Sequence, residues 1–565
     1  MLAGCTPWPE TLAARWRALG YWEDITLWEM LRESARRFPD RTAVVHADRS
    51  ISYRELVERS ETLARRFAAL GLRPLDRVVV QLPNVPEFVV AFFALVRAGV
   101  IPVLALPAHR HTELLHFVRH AKARALFVPD VVRSFDYRPL AEELRGQCET
   151  LEHVFVAGDA LDGQIALAQL SADGGDARGD GAGQGDATPL PRLDPSEVAL
   201  MLLSGGTTAL PKLIPRTHND YVLNAKACGR VAQIDASSVM LVVLPLGHNY
   251  NLASPGVLAC FAAGATVVLS TGHDAQTVFP LVERHRVTIL PAAVPLVTQW
   301  LNSPVPARHD LSSLRIVQNG GARLAPELRR RVREQWGCMP QEIYGTAEGL
   351  INMVPLDAAE ERILESSGTP VCEHDELRVV DADGNDVPDG TPGELLTRGP
   401  YTILGYYDAP EINATAFTAD GFYRMGDVVR KQTRFLYTEG RKKDLVNRGG
   451  EKISCDEVEN LILAHPAVHG CCVVGMPDPV FGEKACAFVV LRPGAALDLP
   501  QLSTFLLEQR IARFKLPERL ELLEQFPISA AGKILRRDLR ESIAETLARE
   551  ARKKTQPTAQ PGTPR

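Results

Sequence analysis

A glycine- and hydroxyl-rich segment that directly follows an apolar run is the most constraining feature of this chain. The apolar run, Val198–Leu203, has the length and composition of a buried strand, and the segment after it, Ser204–Lys212, reads SGGTTALPK. Such a loop offers an anion unobstructed backbone N–H groups, side-chain hydroxyls and one ammonium group. These donors are supplied by Gly205 and Gly206, by Ser204, Thr207 and Thr208, and by Lys212. The segment therefore predicts a loop that binds the phosphates of ATP.

Taken alone, the same segment is compatible with a flexible polar turn, and it lacks the GxxxxGK[ST] spacing of a Walker A loop. Four later segments form an ordered series with it and favour the phosphate-loop interpretation. They are YGTAEG at Tyr344–Gly349, YRMGD at Tyr423–Asp427, GRKKDLVNRGGEKIS at Gly440–Ser454 and ISAAGKILRR at Ile528–Arg537.

Together these segments resemble the adenylate-forming superfamily of acyl- and aryl-CoA synthetases, luciferases and peptide-synthetase adenylation domains. The resemblance extends from about Trp8 to Ala548. Further stretches look like the stand-alone aryl acid–AMP ligases, which load 2,3-dihydroxybenzoate or salicylate onto an aryl carrier protein in siderophore assembly. They are PWPETLAARWRALGYWED at Pro7–Asp24, VLALPAHR at Val103–Arg110, PLGHNYNLASPG at Pro245–Gly256 and LTRGPYTILGYY at Leu396–Tyr407.

Length and composition limit the number of domains, the partners and the location that can be expected for this chain. A chain of 565 residues exceeds one ordinary hydrophobic core, so two or more domains are expected. The net charge of −6 argues against a nucleic-acid partner. The sequence has neither a signal-peptide pattern nor a run of about 18 uncharged apolar residues. Its ten cysteines lack zinc-ligand spacing. We therefore expect reduced thiols, no membrane association and a cytoplasmic location.

Strand and helix patterns alternate along most of the chain, which predicts the α/β class. We expect a large N-terminal domain of parallel-sheet α/β subdomains plus a small antiparallel β unit at Asp375–Leu396, and a mobile small C-terminal α+β domain. The predicted boundaries are 1–439, 440–548 and a disordered tail at 549–565. A Gly- and Asp-rich stretch, 172–188, is expected to be a disordered insertion. An N-terminal cap is predicted to pack around Trp8, Trp16, Trp22 and Trp28.

The resemblance implies a role for each residue of the nucleotide site. Glu348 would provide a carboxylate for Mg²⁺, and Thr346 would lie beside the α-phosphate. Asp427 would accept hydrogen bonds from the ribose hydroxyls, with Arg441 as the second contact. The rest of the nucleotide set is Gly320, Gly321, Ala322, Tyr344 and Gly345. From the residues alone, a helix cap at Thr346 and Glu348 and an ordinary strand–loop turn at 320–322 stay open.

Two positions depart from the family pattern. Ala209 stands where the phosphate loop usually has glycine, and Met425 stands where threonine usually precedes Gly-Asp. We expect these departures to lower activity without abolishing it.

The acid pocket implied by the resemblance lies in the HNY segment and its surroundings. Asn249 would bind the ortho hydroxyl, Tyr250 would pack on the ring, and His248 would lie by the carboxylate and the pantetheine path. Ser254 would lie at the third ring carbon, with Ile351 opposite and Gly321 also in the pocket. HNY alone is equally compatible with an ordinary loop. The neutral Asn-Tyr pair argues against an α-amino acid substrate. Among the enzymes that this chain resembles, a serine at position 254 accompanies 2,3-dihydroxybenzoate and a larger residue at position 351 accompanies salicylate. The resemblance therefore implies a modest preference for 2,3-dihydroxybenzoate.

The C-terminal segments complete the implied chemistry. Lys533 would bridge the acid carboxylate and an α-phosphate oxygen. Lys443 would be a hinge about which the C-terminal domain rotates, bringing Asn447–Lys452 to the site for thiol transfer. The basic stretch Arg510–Arg519 is expected either to dock an acidic carrier protein or to be an ordinary solvated face.

The implied reaction has two halves. ATP activates the aryl acid to an aryl adenylate with release of pyrophosphate, and the acyl group then passes to the phosphopantetheine thiol of an aryl carrier protein of a non-ribosomal peptide synthetase. The alternatives are a salicylate-specific ligase, an aryl-CoA ligase that uses free CoA, a non-catalytic scaffold and a luciferase-type oxygenase.

Overall fold

The structure, a computed structural model, describes residues 1–171, 189–204, 211–441, 445–448, 451–509, 511–529 and 533–555. The chain divides into two units, Met1–Met425 with Arg430–Tyr437, and Gly426–Val429 with Thr438–Arg565. The predicted insertion 172–188 lies outside the described residues.

The elements up to residue 441 alternate strands and helices. The helices are α1 Glu10–Ala18, α2 Leu27–Arg37, α3 Tyr53–Ala69, α4 Pro86–Ala98, α5 His111–Ala121, α6 Arg138–Gln147, α7 Leu167–Ser171, α8 His218–Val231, α9 Asn249–Ala253, α10 Gly256–Ala263, α11 Ala275–Arg284, α12 Val294–Leu301, α13 Pro326–Trp336, α14 Glu360–Glu365 and α15 Pro410–Ala416. The strands are β1 Thr42–His46, β2 Arg49–Ser52, β3 Arg77–Val80, β4 Ile101–Leu104, β5 Ala125–Pro129, β6 Val131–Val132, β7 Phe135–Asp136, β8 His153–Ala157, β9 Ile165–Ala166, β10 Val198–Leu203, β11 Leu213–Thr217, β12 Val239–Val242, β13 Thr266–Leu269, β14 Ile289–Ala292, β15 Ile316–Gly320, β16 Met339–Thr346, β17 Gly349–Met353, β18 Thr369–Pro370, β19 Glu376–Val380, β20 Gly393–Arg398, β21 Tyr423–Gln432 and β22 Phe435–Arg441.

Two large sheets organise this region. The seven-stranded sheet has the order β11-β10-β4-β3-β5-β8-β9, and the nine-stranded sheet has the order β18-β17-β16-β15-β14-β12-β13-β1-β2. Pairing is parallel from β16 through β1, whereas β17, β18 and β2 pair antiparallel at the edges. The α/β class and its largely parallel sheets are as predicted.

Helix sequences explain which helices are buried. α3 begins with a capping box in which Ser52 and Glu55 bond each other's backbone N–H groups, and its apolar residues lie on one face. α4 has the uninterrupted apolar sequence PEFVVAFFALVRA and is buried along nearly its whole length.

Three of the four N-terminal tryptophans, Trp8, Trp16 and Trp22, pack in one apolar cluster, as predicted, whereas Trp28 is buried outside that cluster. Trp16, Trp22 and Trp28 are buried, and Trp8 contacts the edge of Trp22 at a ring-centroid distance of 5.1 Å. The indole N–H of Trp22 donates to the carbonyl of Pro400 at 2.9 Å. The N-terminal segment is therefore fixed to a loop far along the chain.

The small β unit also follows the prediction. β19 and β20 pair antiparallel, from Glu376 opposite Arg398 to Val380 opposite Glu394. The DADGND turn after β19 is closed by Asp381, whose carboxylate accepts from the backbone N–H of Asn385 at 2.9 Å.

The unit after residue 438 is an α+β fold. Its further elements are β23 Val446–Arg448, β24 Glu451–Ile453, α16 Cys455–Leu463, β25 Val468–Asp478, β26 Gly482–Leu491, α17 Leu499–Glu508, β27 Arg519–Leu522 and α18 Arg536–Thr555. β25 alternates faces with period two, so the adjacent Cys471 and Cys472 lie in separate cores, one formed with α16 and α17 and the other with α18. This explains why neighbouring cysteines form neither a ligand pair nor a disulfide.

One predicted feature differs at the C-terminus. α18 continues to Thr555, beyond the predicted domain end at 548. The alternation of Glu and Arg in this helix provides charge neighbours one turn apart, which favours a solvated helix over the disorder expected from 549 onward.

Two further expectations concern the state of the cysteines and membrane-spanning helices. All ten cysteines fall within the described ranges and are free thiols. Among the residues that the structure describes, no helix combines the length and apolar character needed to cross a bilayer.

Candidate active site

The candidate site forms where strands of the nine-stranded sheet end. β12, β15 and β16 run parallel in this sheet, so the segments after them leave at one edge. These segments contain His248–Tyr250, Gly320–Ala322 and Thr346–Glu348. Sheet topology thus places the predicted acid pocket, adenine segment and metal carboxylate at one edge.

The phosphate-loop segment connects two antiparallel strands, β10 and β11. Ser204 and Lys212 close its base, because the Ser204 N–H donates to the Lys212 carbonyl at 3.0 Å and the Lys212 N–H donates to Ser204 Oγ at 2.9 Å. Gly205, Gly206, Thr207, Thr208 and Ala209 lie outside the described residues.

Thr346 and Glu348 lie in the hairpin between β16 and β17. Thr346 pairs with Gly349 across this hairpin, and its hydroxyl donates to the Gly349 carbonyl at 2.9 Å. The helix cap that the residues alone left open is therefore wrong at this position. Tyr344 and Gly345 belong to the same hairpin, opposite Asn352 and Ile351.

Tyr406 was not predicted, yet it contacts two predicted site residues. Its hydroxyl donates to Glu348 Oε1 at 2.7 Å and lies 3.2 Å from the Tyr423 hydroxyl. Its ring lies under the Lys212 ammonium at 4.2 Å from the centroid. Glu348 is 6% exposed, so this hydrogen bond orients a nearly buried carboxylate.

Arg216 is a second unpredicted member of the site. Its guanidinium is fully buried and donates to Asp220 Oδ1 at 2.8 Å, to the Ala347 carbonyl at 2.8 Å and to the Tyr401 carbonyl at 3.0 Å. Burial raises the pKa of Asp220, and the charge of Arg216 opposes that rise. Arg216 therefore ties β11 to the residue that precedes Glu348.

Two predicted acid-pocket residues belong to one apolar cluster. Tyr250 and Ile351 are both buried in it. The Tyr250 ring packs so closely on Gly320 that a Cβ there would meet the ring at 2.8 Å, and a Cβ at Gly345 would meet Ile351 Cδ1 at the same distance. Gly321 is exposed beside this contact and adopts φ +89°. The glycines of the predicted nucleotide segments thus make room for two side chains of the predicted acid pocket.

The polar members of the pocket bond one another. Asn249 Nδ2 donates to Ser254 Oγ at 3.2 Å, and Asn249 Oδ1 accepts from the Tyr221 hydroxyl at 2.8 Å. His248 caps α9, and its Nδ1 accepts from the Tyr250 N–H at 3.2 Å. Asn249 and Ser254 are both buried, so their hydrogen-bonding groups are held in fixed directions.

A buried acid is linked through Tyr401 to Ile351, a residue of the predicted acid pocket. The Ile351 N–H donates to the Tyr401 hydroxyl at 3.0 Å, and this hydroxyl donates to Asp375 Oδ2 at 2.7 Å. Burial raises the pKa of Asp375 to about 7, although the Tyr401 hydrogen bond opposes the rise.

Asp375→Asn should therefore change the pH dependence of stability. Because the pKa of Asp375 is raised in the folded protein, its protonated form stabilises the folded state. This contribution is complete below the unfolded-state pKa and is lost as the pH rises to about 7. We expect the free energy of unfolding of the variant, relative to that of wild type, to be higher at pH 8 than at pH 5 by about 1–3 kcal/mol. Thermal unfolding at both pH values measures it, with the exposed Asp383→Asn as control. An equal difference from wild type at both pH values would contradict the prediction.

The C-terminal unit contains the remaining predicted residues. Asp427 lies on β21 and is 7% exposed. Lys533 is exposed and forms two hydrogen bonds with Ser529, one from the Lys533 N–H to Oγ at 3.1 Å and one from the Ser529 N–H to the Lys533 carbonyl at 2.7 Å. Arg441 ends β22. The predicted hinge Lys443 lies outside the described residues.

The basic stretch near Arg510 is less basic than the sequence indicates. Lys515 forms an ion pair with Glu457 at 2.6 Å, and Arg519 pairs with Glu550 at 2.8 Å. Arg513 is exposed, and Arg510 itself lies outside the described residues. The docking of a carrier protein on this stretch therefore stays a prediction.

The residues present fit a metal that arrives with a nucleotide. Within the described ranges, no group of three or more His, Cys, Asp or Glu side chains is arranged to hold a metal alone. One nearly buried carboxylate, Glu348, with a second oxygen besides the one bonded to Tyr406, suits Mg²⁺, which takes most of its ligands from water and phosphate.

The fold and these segments define an adenylate-forming enzyme. Residues 31–407 match the AMP-binding enzyme family and residues 457–533 match the AMP-binding enzyme C-terminal domain, so the chain belongs to this ATP-using family, as predicted. It is 45% identical to the 2,3-dihydroxybenzoate-AMP ligase of Bacillus subtilis, covering 97% of this chain and 99% of that protein. It is 43% identical to the salicyl-AMP ligase / salicyl-S-ArCP synthetase of Mycobacterium tuberculosis, covering 95% and 94%. The apo structure of Mycobacterium smegmatis MbtA matches with a TM-score of 0.72 at 40% identity, covering 95% of this chain and 99% of that one.

Proposed function

We propose that this chain is an aryl acid–AMP ligase that activates 2,3-dihydroxybenzoate, with salicylate as a second substrate, and loads it onto an aryl carrier protein in siderophore assembly. The observation that carries the proposal is the β16–β17 hairpin. It holds Glu348 and Thr346 at its turn and Ile351 on its second strand, and Ile351 shares an apolar cluster with Tyr250, the sequence neighbour of Asn249. Relatives named as 2,3-dihydroxybenzoate- and salicyl-AMP ligases support the substrate class.

In the first half-reaction, an oxygen of the acid carboxylate attacks the α-phosphorus of ATP. The bond from this phosphorus to the bridging oxygen breaks, and pyrophosphate leaves. The protein positions the two anions and reduces their repulsion. Ser204 and Lys212 would hold phosphate oxygens, and Lys533 would bridge the carboxylate and the α-phosphate. Bound Mg²⁺ would neutralise phosphate charge, and Glu348 would hold it.

In the second half-reaction, a thiol attacks the acyl carbon of the adenylate and AMP leaves. The thiol would belong to the phosphopantetheine arm of an aryl carrier protein, and rotation about Lys443 would withdraw Lys533 between the two steps. Relatives named as pyochelin synthase and salicyl-S-ArCP synthetase support a carrier partner. We place the activity in the cytoplasm, which the ten free thiols support.

Two assays test this function. Acid-dependent ATP–pyrophosphate exchange with a panel of hydroxybenzoates should give activity with 2,3-dihydroxybenzoate and salicylate. Thioester formation should then be faster on a phosphopantetheinylated aryl carrier protein than on free CoA. Exchange without any acid dependence would contradict the proposal. Faster acylation of free CoA would favour an aryl-CoA ligase, which a relative named salicylyl-CoA synthase makes the second candidate.

Ser254→Cys should shift the preference toward salicylate. Ser254 Oγ accepts from Asn249, and a hydroxyl that accepts still has its own proton to donate to the 3-hydroxyl of 2,3-dihydroxybenzoate. A thiol donates weakly, so we expect the ratio of kcat/KM for 2,3-dihydroxybenzoate over salicylate to fall by about tenfold. Exchange assays with both acids measure this ratio, and Ser270→Cys is a buried control elsewhere in the fold. An unchanged ratio would show that Ser254 does not contact the third ring position.

A further inference from the structure

We propose that Tyr221 sets the hydrogen-bonding polarity of the acid pocket. By holding the carbonyl end of the Asn249 side chain, Tyr221 makes Asn249 present an N–H donor, so the pocket selects acids whose ortho substituent accepts a hydrogen bond. This inference rests on the proposed function, in which Asn249 faces the ortho position.

The contacts form a short chain of buried groups. Tyr221 lies on α8, is 0% exposed, and donates its hydroxyl to Asn249 Oδ1 at 2.8 Å. Asn249 Nδ2 in turn donates to Ser254 Oγ at 3.2 Å. Tyr221 is 28 residues from Asn249 in sequence and belongs to none of the motif segments.

The chemistry of a buried phenol fixes the direction of this chain. Burial raises the pKa of Tyr221, so the hydroxyl keeps its single proton throughout the physiological range. The guanidinium of Arg216 lies 4.8 Å from the ring centroid and offers that proton no acceptor. Asn249 Oδ1 is the acceptor that the described contacts provide, and a buried hydroxyl without one is unfavourable. The amide oxygen is therefore turned toward Tyr221.

The amide nitrogen then carries two hydrogens on the opposite side. One is used by Ser254, and the other can be donated to a substrate. In salicylate the ortho hydroxyl donates its proton to the neighbouring carboxylate, so the ortho oxygen offers only lone pairs outward. This oxygen matches an N–H donor. In 2-aminobenzoate the nitrogen lone pair is delocalised into the ring, and the outward N–H would face the N–H of Asn249. A donor that faces a donor leaves both groups unpaired, and such sites discriminate strongly.

The test compares salicylate, 2-aminobenzoate and benzoate in ATP–pyrophosphate exchange with the full-length enzyme. Wild type should prefer salicylate over 2-aminobenzoate by tenfold or more in kcat/KM, roughly 1.4 kcal/mol. Tyr221→Phe frees the amide to turn, so that ratio should fall by about tenfold. The kcat/KM for benzoate, which has no ortho group, should change by less than about threefold.

A matched control separates this role from a loss of packing. Tyr53→Phe also removes a fully buried phenol hydroxyl, one that donates to the Ala265 carbonyl at 2.6 Å. It should leave the salicylate to 2-aminobenzoate ratio unchanged. A second variant, Asn249→Asp, keeps an acceptor for Tyr221 but presents an oxygen to the substrate. It should reverse the preference for salicylate over 2-aminobenzoate. This variant tests the inference even if Tyr221→Phe does not fold.

The outcomes are distinguishable. If wild type shows no exchange with salicylate, 2,3-dihydroxybenzoate or benzoate, the proposed function is overturned, and this inference with it. If wild type is active but does not prefer salicylate over 2-aminobenzoate, or if the ratio is the same in Tyr221→Phe, only the inference is overturned.

Discussion

Lys533→Ala should lower acid-dependent adenylation by about 10²–10³-fold while sparing thioester formation from supplied aryl adenylate. The reason is that the ammonium group would act only while two anions, the acid carboxylate and the α-phosphate, approach each other. Lys533 is exposed and bonds Ser529 through its backbone N–H and carbonyl, so removing its side chain leaves both bonds in place. Pyrophosphate exchange measures the first half-reaction, and acylation of the carrier from synthetic aryl adenylate measures the second.

The control for this experiment is Arg537→Ala. Arg537 is also an exposed cation in the C-terminal unit, and its side chain is 52% exposed. Removing it changes the net charge by the same amount and should leave both rates near wild type. Equal losses in the two half-reactions of Lys533→Ala would count against domain rotation, because they would place Lys533 at the site in both steps.

The fold follows from local sequence signals to a large extent. The apolar run Ala125–Pro129 forms a strand, and Cys455–Leu463, whose apolar residues recur with a helical period, forms a helix. These elements are predictable because burial and backbone period act over a few residues. The end of α18 is less predictable, because a solvated helix is stabilised by weak charge pairs that compete closely with disorder.

The candidate site is less predictable from the sequence than the fold is, and the reason is physical. Motif segments identify Glu348 and Asn249, but they do not identify the groups that orient them. Tyr406 bonds Glu348 across 58 residues of sequence, and Arg216 reaches Ala347 across 131. Such pairs depend on tertiary packing, which a local pattern does not contain. For Tyr406 a signal existed, since it lies in the quoted family-like stretch LTRGPYTILGYY, whereas Tyr221 lies outside all of the quoted stretches.

The same reasoning explains why the helix cap at Thr346 was left open. A Thr and a Glu near an expected element boundary suit either a helix N-terminus or a tight hairpin. The deciding fact is the pairing of Thr346 with Gly349 across the β16–β17 ladder. This pairing turns Glu348 toward Tyr406, so the metal-site proposal depends on a hairpin that the residues alone do not specify.

Glu348→Gln should lower adenylation by about 10²–10³-fold, because the amide has the shape of the carboxylate but lacks its charge. The glutamine carbonyl can still accept from the Tyr406 hydroxyl, so the hairpin should stay folded and the melting temperature of the nucleotide-free protein should stay near wild type. Pyrophosphate exchange measured against Mg²⁺ concentration should show a loss that added Mg²⁺ only partly restores. A rate within a few-fold of wild type would remove Glu348 from the metal site.

Tyr406→Phe provides the matched comparison, because it keeps the carboxylate and removes only the group that orients it. We expect a smaller loss, about tenfold, expressed mainly as a higher Mg²⁺ concentration for half-maximal rate. The Lys212 ammonium would retain an aromatic face, so the packing of that cation should be unchanged. If Tyr406→Phe lost as much activity as Glu348→Gln, the hydroxyl would have a role of its own in the reaction, and the assignment of Tyr406 as a positioning residue would be wrong.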